Sequence, residues 1–199
     1  MSSDSDIITR SRDTPAAFSE LYDRYAVVIH RFAARRIGGN AAEDIMSETF
    51  LVAFERRFTF LSDQDDAKPW LYGIATTLMK KHARLDARAW KGLAAASSAE
   101  VHHDVTEAVG SRIDAAASMR RLGSAMNRMP AGDRDALLLY AWGDLDYDGV
   151  AAALGVPVGT VRSRLNRARR KLRAASELGI ALTLEVEDGR VDSAPQSAQ

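Results

Sequence analysis

The sequence predicts an all-α protein of two small helical domains joined by a flexible linker. Three observations carry this expectation. Apolar residues recur at three- and four-residue steps through residues 14–90 and again through 111–174, the period of amphipathic helices. Between those blocks, residues 91–110 turn small, polar and mildly acidic, as a tether does. Period-two alternation is confined to one short stretch near the C-terminus, and one strand cannot stand alone in water.

Residues 1–13 read as a flexible N-terminus. Thr14-Pro15 reads as a helix start, because Pro fits the first helical position, where no N–H is needed. Phe18, Leu21, Tyr22, Tyr25, Ile29 and Phe32 then form one apolar stripe, and Gly38-Gly39 stops it. Asn40 and Glu43 have capping-box spacing, ahead of a stripe of Ile45, Met46, Thr49, Phe50, Ala53 and Phe54. Residues 62–66 read as a polar loop. Pro69 opens a third helix with Trp70, Leu71, Ile74, Leu78 and Leu85 inward, so the first half predicts a helical bundle.

In the second half, Ser111 can cap a helix lined by Ile113, Ala117, Leu122, Met126 and Met129, which Pro130 ends. Further helices follow over Arg134 to Trp142, Tyr147 to Leu154, and Val158 to about Ala174. The tail from 175 is acidic. Its Ile180, Leu182, Leu184 and Val186 alternate with more polar neighbours, which fits a lone strand or plain disorder.

Lys plus Arg and Asp plus Glu both number 27, so the net charge is zero, but the charges are segregated along the chain. The absence of cysteine excludes disulfides, thiolate zinc sites and iron–sulfur clusters. No apolar run is long enough to span a bilayer and the start lacks a signal-peptide core, which predicts a cytoplasmic protein without membrane insertion. His102-His103-Asp104 is a poor metal site, since adjacent histidines point apart and no further ligand is spaced to close the set. No nucleophile elbow, phosphate loop or zinc-protease motif occurs, so no catalytic residue, cofactor or small-molecule substrate is expected.

The strongest functional signal lies in residues 146–173. Ala151, Gly155 and Val161 stand at the intervals that a helix-turn-helix needs for its small contact residue, its turn and its apolar anchor. Val150 and Leu154 complete the inner face of the first helix; Leu165, Ala168 and Leu172 continue that of the second. Between Pro157 and Arg173 there are seven basic residues and no acid. Such a helix suits the major groove, with Thr160, Arg162, Ser163, Asn166 and Arg167 nearest the bases and Arg170 among the phosphate-facing positions. A second basic stretch holds Lys80, Lys81, Arg84, Arg88 and Lys91, framed by Trp70, Tyr72 and Trp90. Cations beside aromatic faces suit unpaired bases.

These segments resemble the extracytoplasmic-function (ECF) sigma factors. Asp44-Ile45-Met46-Ser47-Glu48-Thr49-Phe50-Leu51 and Lys68-Pro69-Trp70-Leu71-Tyr72-Gly73-Ile74-Ala75 resemble sigma region two. Met129-Pro130, Arg134 and the run Leu154 to Leu165 resemble region four, and the order and tether length also agree. The resemblance implies a transcription initiation factor for a stress or signal regulon. Its partners would be core RNA polymerase, met through Asp44, Ser47, Glu48 and Phe50; promoter DNA, read by Thr77, Lys80, Lys81, Arg84 and Arg88 at the minus-ten element and by the second helix of the helix-turn-helix at the minus-thirty-five; and an anti-sigma factor. The chain departs from the family's usual residues at Ser47, Thr77 and Asp148-Gly149. A stand-alone helix-turn-helix regulator is the other reading; it requires a dimer and a palindromic site. The acidic tail is expected to screen the basic helix, so that removing residues 176–199 tightens binding to free DNA.

Overall fold

The structure, a computed structural model, describes residues 2–60, 65–96 and 122–175, with side chains in the middle segment described as far as Arg84. Every regular element among them is helical.

The chain begins in a helix, contrary to the flexible start expected for residues 1–13. Helix α1 (Asp4–Asp13) is closed by a capping box: the Ser3 hydroxyl accepts from the Asp6 N–H and the Asp6 carboxylate accepts from the Ser3 N–H. Ile7 and Ile8 are fully buried. Asp4 is buried too, and accepts from the Tyr25 hydroxyl at 2.6 Å and the Ala67 N–H at 2.8 Å while pairing with Arg24. Arg12 donates to the carbonyls of Arg57 and Phe60. The contacts to Arg57, Phe60 and Ala67 reach across more than forty residues, which periodicity in a ten-residue window cannot register.

Thr14 makes no side-chain cap. Pro15–Phe18 form a 3-10 turn instead, and α2 runs Ser19–Ile37. Gly38 ends it at φ +88°, where an L side chain is strained. Helix α3 (Gly39–Glu55) takes Gly38 as its N-cap, two residues before Asn40, so the expected Asn40–Glu43 box does not form. Ile45, Met46, Thr49, Phe50 and Ala53 are buried as the stripe predicts. Tyr22, expected inward, is 41% exposed and covers Phe50 edge-on. Helix α4 (Lys68–Ala96) is 29 residues long and continues six residues into the segment expected to be linker. Leu71, Ile74 and Leu78 face the core.

The second half contains helical residues 122–127 (α5), α6 (Ala131–Trp142), α7 (Tyr147–Leu154) and α8 (Val158–Ala175). Leu137, Leu138, Leu139, Val150, Val161, Leu165 and Ala168 form its core. The expected cap at Ser111, inward Leu85, Ile113 and Ala117, most of the 62–66 loop, the linker after residue 96 and the alternating tail lie outside the described residues.

The two halves are packed together, and their buried side chains form one continuous cluster. Helix α4 lies against α7 so closely that a Cβ on Gly73 would stand 2.6 Å from the Ala153 carbonyl oxygen. Lys68 donates to the Asp144 carbonyl at 3.1 Å. Asp135 on α6 has no exposed surface and is clamped between Arg36 of α2 and Lys80 of α4, with Lys80 Nζ 2.5 Å away.

Candidate nucleic-acid interface

The helix-turn-helix forms where its residue types require. Asp146 caps α7 by accepting from the Gly149 N–H at 2.7 Å. Gly149 is accommodated there, since a Cβ would lie 3.1 Å from the Asp146 carboxylate. Gly155 takes the left-handed conformation at φ +62°, ψ +41°, and its N–H closes α7. Pro157 then leads into α8, its carbonyl accepting from the N–H groups of Thr160 and Val161. Val161, Leu165 and Ala168 anchor α8 with no exposed surface, while Leu154 and Leu172 are half-buried.

Six of the seven cations of α8 divide into two sets. Arg162, Arg170, Lys171 and Arg173 are exposed, alongside Ser163 and Asn166. Arg164 folds back over Gly132, and Arg169 donates to the Tyr147 hydroxyl at 3.3 Å while lying over the Tyr140 ring. Both are half-buried, so these two are supports for the helix rather than part of its outer face.

Arg167 differs from the expectation of a free base-reading side chain. It forms two parallel hydrogen bonds with Asp133 on α6, at 2.8 and 3.1 Å. Those bonds raise its pKa further and fix its plane against α6. Thr160 is half-buried, and the Ser163 hydroxyl donates back to the Gly159 carbonyl.

The basic stretch on α4 is also partly engaged. Lys80 is held by Asp135, and Lys81 stands 3.7 Å from Glu48. Thr77 is exposed, but its hydroxyl donates to the Gly73 carbonyl one turn back. Arg84 is exposed, while the side chains of Arg88, Trp90 and Lys91 lie outside the described residues. Trp70 is half-buried with its ring 5.0 Å from that of Phe60, while Tyr72 is buried edge-on against Phe32 and offers no face to a base.

On α3, Asp44 and Ser47 are exposed and Glu48 is half-buried, one turn apart on a single face. Phe50 does not share it. It is 5% exposed and lies in the core, because it continues the Met46–Phe50–Ala53 inner stripe. The apolar residue that does share the face is Leu51, 57% exposed and one turn beyond Ser47. Its spacing of four from Ser47 marks it in the sequence.

Among the described residues no helix is long and apolar enough to cross a membrane, and no group of three His, Asp or Glu is gathered as a metal site. His102-His103-Asp104 lies outside the described residues.

Residues 21–89 match the sigma-70 region 2 family and residues 119–172 match sigma-70 region 4. The chain is 30% identical over 172 residues to the RNA polymerase sigma factor HrpL of Pseudomonas syringae pv. syringae, covering 82% of this chain and 89% of that protein. It is likewise 30% identical over 160 residues to the ECF RNA polymerase sigma factor EcfG of Rhodopseudomonas palustris, covering 75% and 80%. The fold resembles that of CnrH, solved in complex with the cytosolic domain of CnrY, at a TM-score of 0.59 and 22% identity over 86% of this chain and 95% of that one. It also resembles RpoE of Bartonella quintana, solved with the anti-sigma factor NepR, at a TM-score of 0.57 and 21% identity over 81% and 97%. The helix-turn-helix, the region-two bundle before it and these likenesses agree: the chain belongs to the ECF sigma factors of the sigma-70 family.

Proposed function

We propose that this protein binds core RNA polymerase and directs it to promoters through two DNA contacts, acting in the cytoplasm without catalysing a reaction of its own. The observation that carries this is the helix-turn-helix, whose second helix turns Arg162, Ser163, Asn166 and Arg170 outward. Asn166 and Arg162 can each form two hydrogen bonds to one base edge, and Arg170 meets phosphate. Arg167 acts through Asp133 to set the pitch of α8 on α6.

The region-two unit extends from α1 to residue 90 and the region-four unit covers 111–174. Between them residues 91–110 are the linker, whose start continues α4, and an acidic tail follows from 175. Thr77, Lys81, Arg84 and Arg88 are the region-two contacts to the downstream element. Lys80 joins them once it leaves Asp135. Asp44, Ser47, Glu48 and Leu51 form the polymerase face. An anti-sigma factor is the partner that would hold the chain in reserve; RpoE of Bartonella quintana was solved with one, NepR.

Each DNA contact alone is weak, and mounting both on polymerase raises the effective concentration of the second. A gel-shift titration therefore separates this reading from the stand-alone regulator. The protein with core polymerase should retard promoter duplex at concentrations where the protein alone does not. Tight, palindrome-specific retardation without polymerase would favour the regulator.

A further inference from the structure

A cavity of about 980 Å³ opens between the two halves, beside the Asp135 clamp. Its floor is apolar, with Met79, Met126, Leu137, Leu138, Trp142 and Leu172 among the lining residues. Its rim is basic, carrying Arg35, Arg36, Lys80, Arg84 and Arg134, and no carboxylate lines it among the described residues. Asp135 pairs with both Arg36 and Lys80 and offsets one of their two charges. Arg35 and Arg84 are exposed and face no carboxylate among the described residues. A hole of this size with an oily floor and a positive rim fits an acidic, apolar segment.

The chain supplies such a segment next to the opening. Leu172 lines the cavity, and α8 ends three residues later at Ala175. Residues 176–199 carry five acids, Glu177, Glu185, Glu187, Asp188 and Asp192, against the single base Arg190. The same stretch alternates Ile180, Leu182, Leu184 and Val186. An alternating segment needs a sheet edge or a groove, and among the described residues there is no strand to pair with. Eleven extended residues reach about 36 Å, enough to cross an opening that starts at the segment's own root. The linker is a poorer occupant: residues 97–121 hold four acids against three bases, close to neutral.

We propose that the acidic tail, residues 176–192, seats Ile180, Leu182, Leu184 and Val186 in the cavity between the two halves, with its carboxylates against Arg35, Arg84 and Arg134. The seated tail bridges α2, α4 and α6, and so holds the two DNA-binding units in their packed arrangement. This rests on the cavity and on charge, and stands whether or not the chain serves polymerase.

The cysteine-free chain makes the test direct, because single cysteines take nitroxide labels without removing any native thiol. Thr183→Cys and Asn127→Cys place one label in the tail and one at the cavity. The full-length chain should give an immobilised tail label and a narrow distance distribution to Asn127→Cys. Arg35→Glu with Arg84→Glu should free the label and broaden the distribution, and adding Glu185→Arg with Glu187→Arg should restore both. A mobile tail label with a broad distribution in the unaltered chain overturns the proposal. So does a narrow distance that disappears on dilution with unlabelled chain, since the tail then sits on a second copy. Release by the rim substitutions without rescue by the tail reversals also overturns it.

Discussion

Two carboxylates on α6 decide what the basic side chains of both units do in the free protein. Asp133 takes Arg167 and Asp135 takes Lys80 with Arg36. The sequence shows that these cations exist and that they cluster, but a carboxylate thirty or a hundred residues away has no signature in spacing. Asn166, exposed and unengaged in any such pair, stands on the outer face that the sequence predicts; the engagement of Arg167 was not legible. Asn166→Ala should cost about 1–3 kcal/mol of discrimination at one base pair of the upstream element, whereas Arg167→Ala should lower affinity on all duplexes alike. Binding titrations against a set of single-base variants check both. Asp135→Ala leaves Arg36 partly buried and unpaired, at a cost of roughly 2 kcal/mol, moderated by the exposure of Lys80. Urea denaturation should register the loss, and X-ray scattering should register a larger radius of gyration as the halves part.

Helices were legible where one face is apolar over several turns, which covers α2, α3, α4 and all three helices of the second half from residue 131. Helix α1 was not, because its only large apolar residues, Ile7 and Ile8, are adjacent and give no helical period. The available signal was the spacing of Ser3 and Asp6. Both misread starts, Thr14 and Asn40, are good capping residues whose helices begin elsewhere, since Pro15 tightens into a 3-10 turn and Gly38 takes the turn before α3. The packing of α4 on α7 is the tertiary fact with most bearing on function, and it depends on a residue with no side chain. Gly73→Ala pushes a methyl against the Ala153 backbone, which has no flexible end to yield. It should separate the halves and cost about 1–3 kcal/mol. Hydrogen exchange should quicken in α7 in particular, and unchanged protection there would contradict the contact.

Across the whole molecule, zero net charge conceals basic DNA faces balanced by acids placed elsewhere in the chain. A buried phenol, Tyr72, and a half-buried one, Tyr25, give the fold an alkaline limit. Burial first, then the nearby Asp144 charge, pushes Tyr72 up to about 12; burial, then the hydrogen bond to Asp4, pushes Tyr25 higher still. A phenol whose folded pKa exceeds the unfolded value of 10 holds its proton more tightly in the fold. Its stabilisation is therefore complete below pH 10 and is lost as pH climbs from there towards the folded value. The urea midpoint should fall between pH 9 and pH 11, and Tyr72→Phe should reduce that fall.

The activity proposed for this chain is to confer promoter selection on polymerase. It is tested most directly by transcription from a pooled genomic template with purified core RNA polymerase, with and without the protein. New transcripts with defined start sites, lost when Arg162 and Asn166 are both replaced by Ala, are the predicted result. No new starts and no association with core, alongside tight duplex binding by the protein alone, would contradict it.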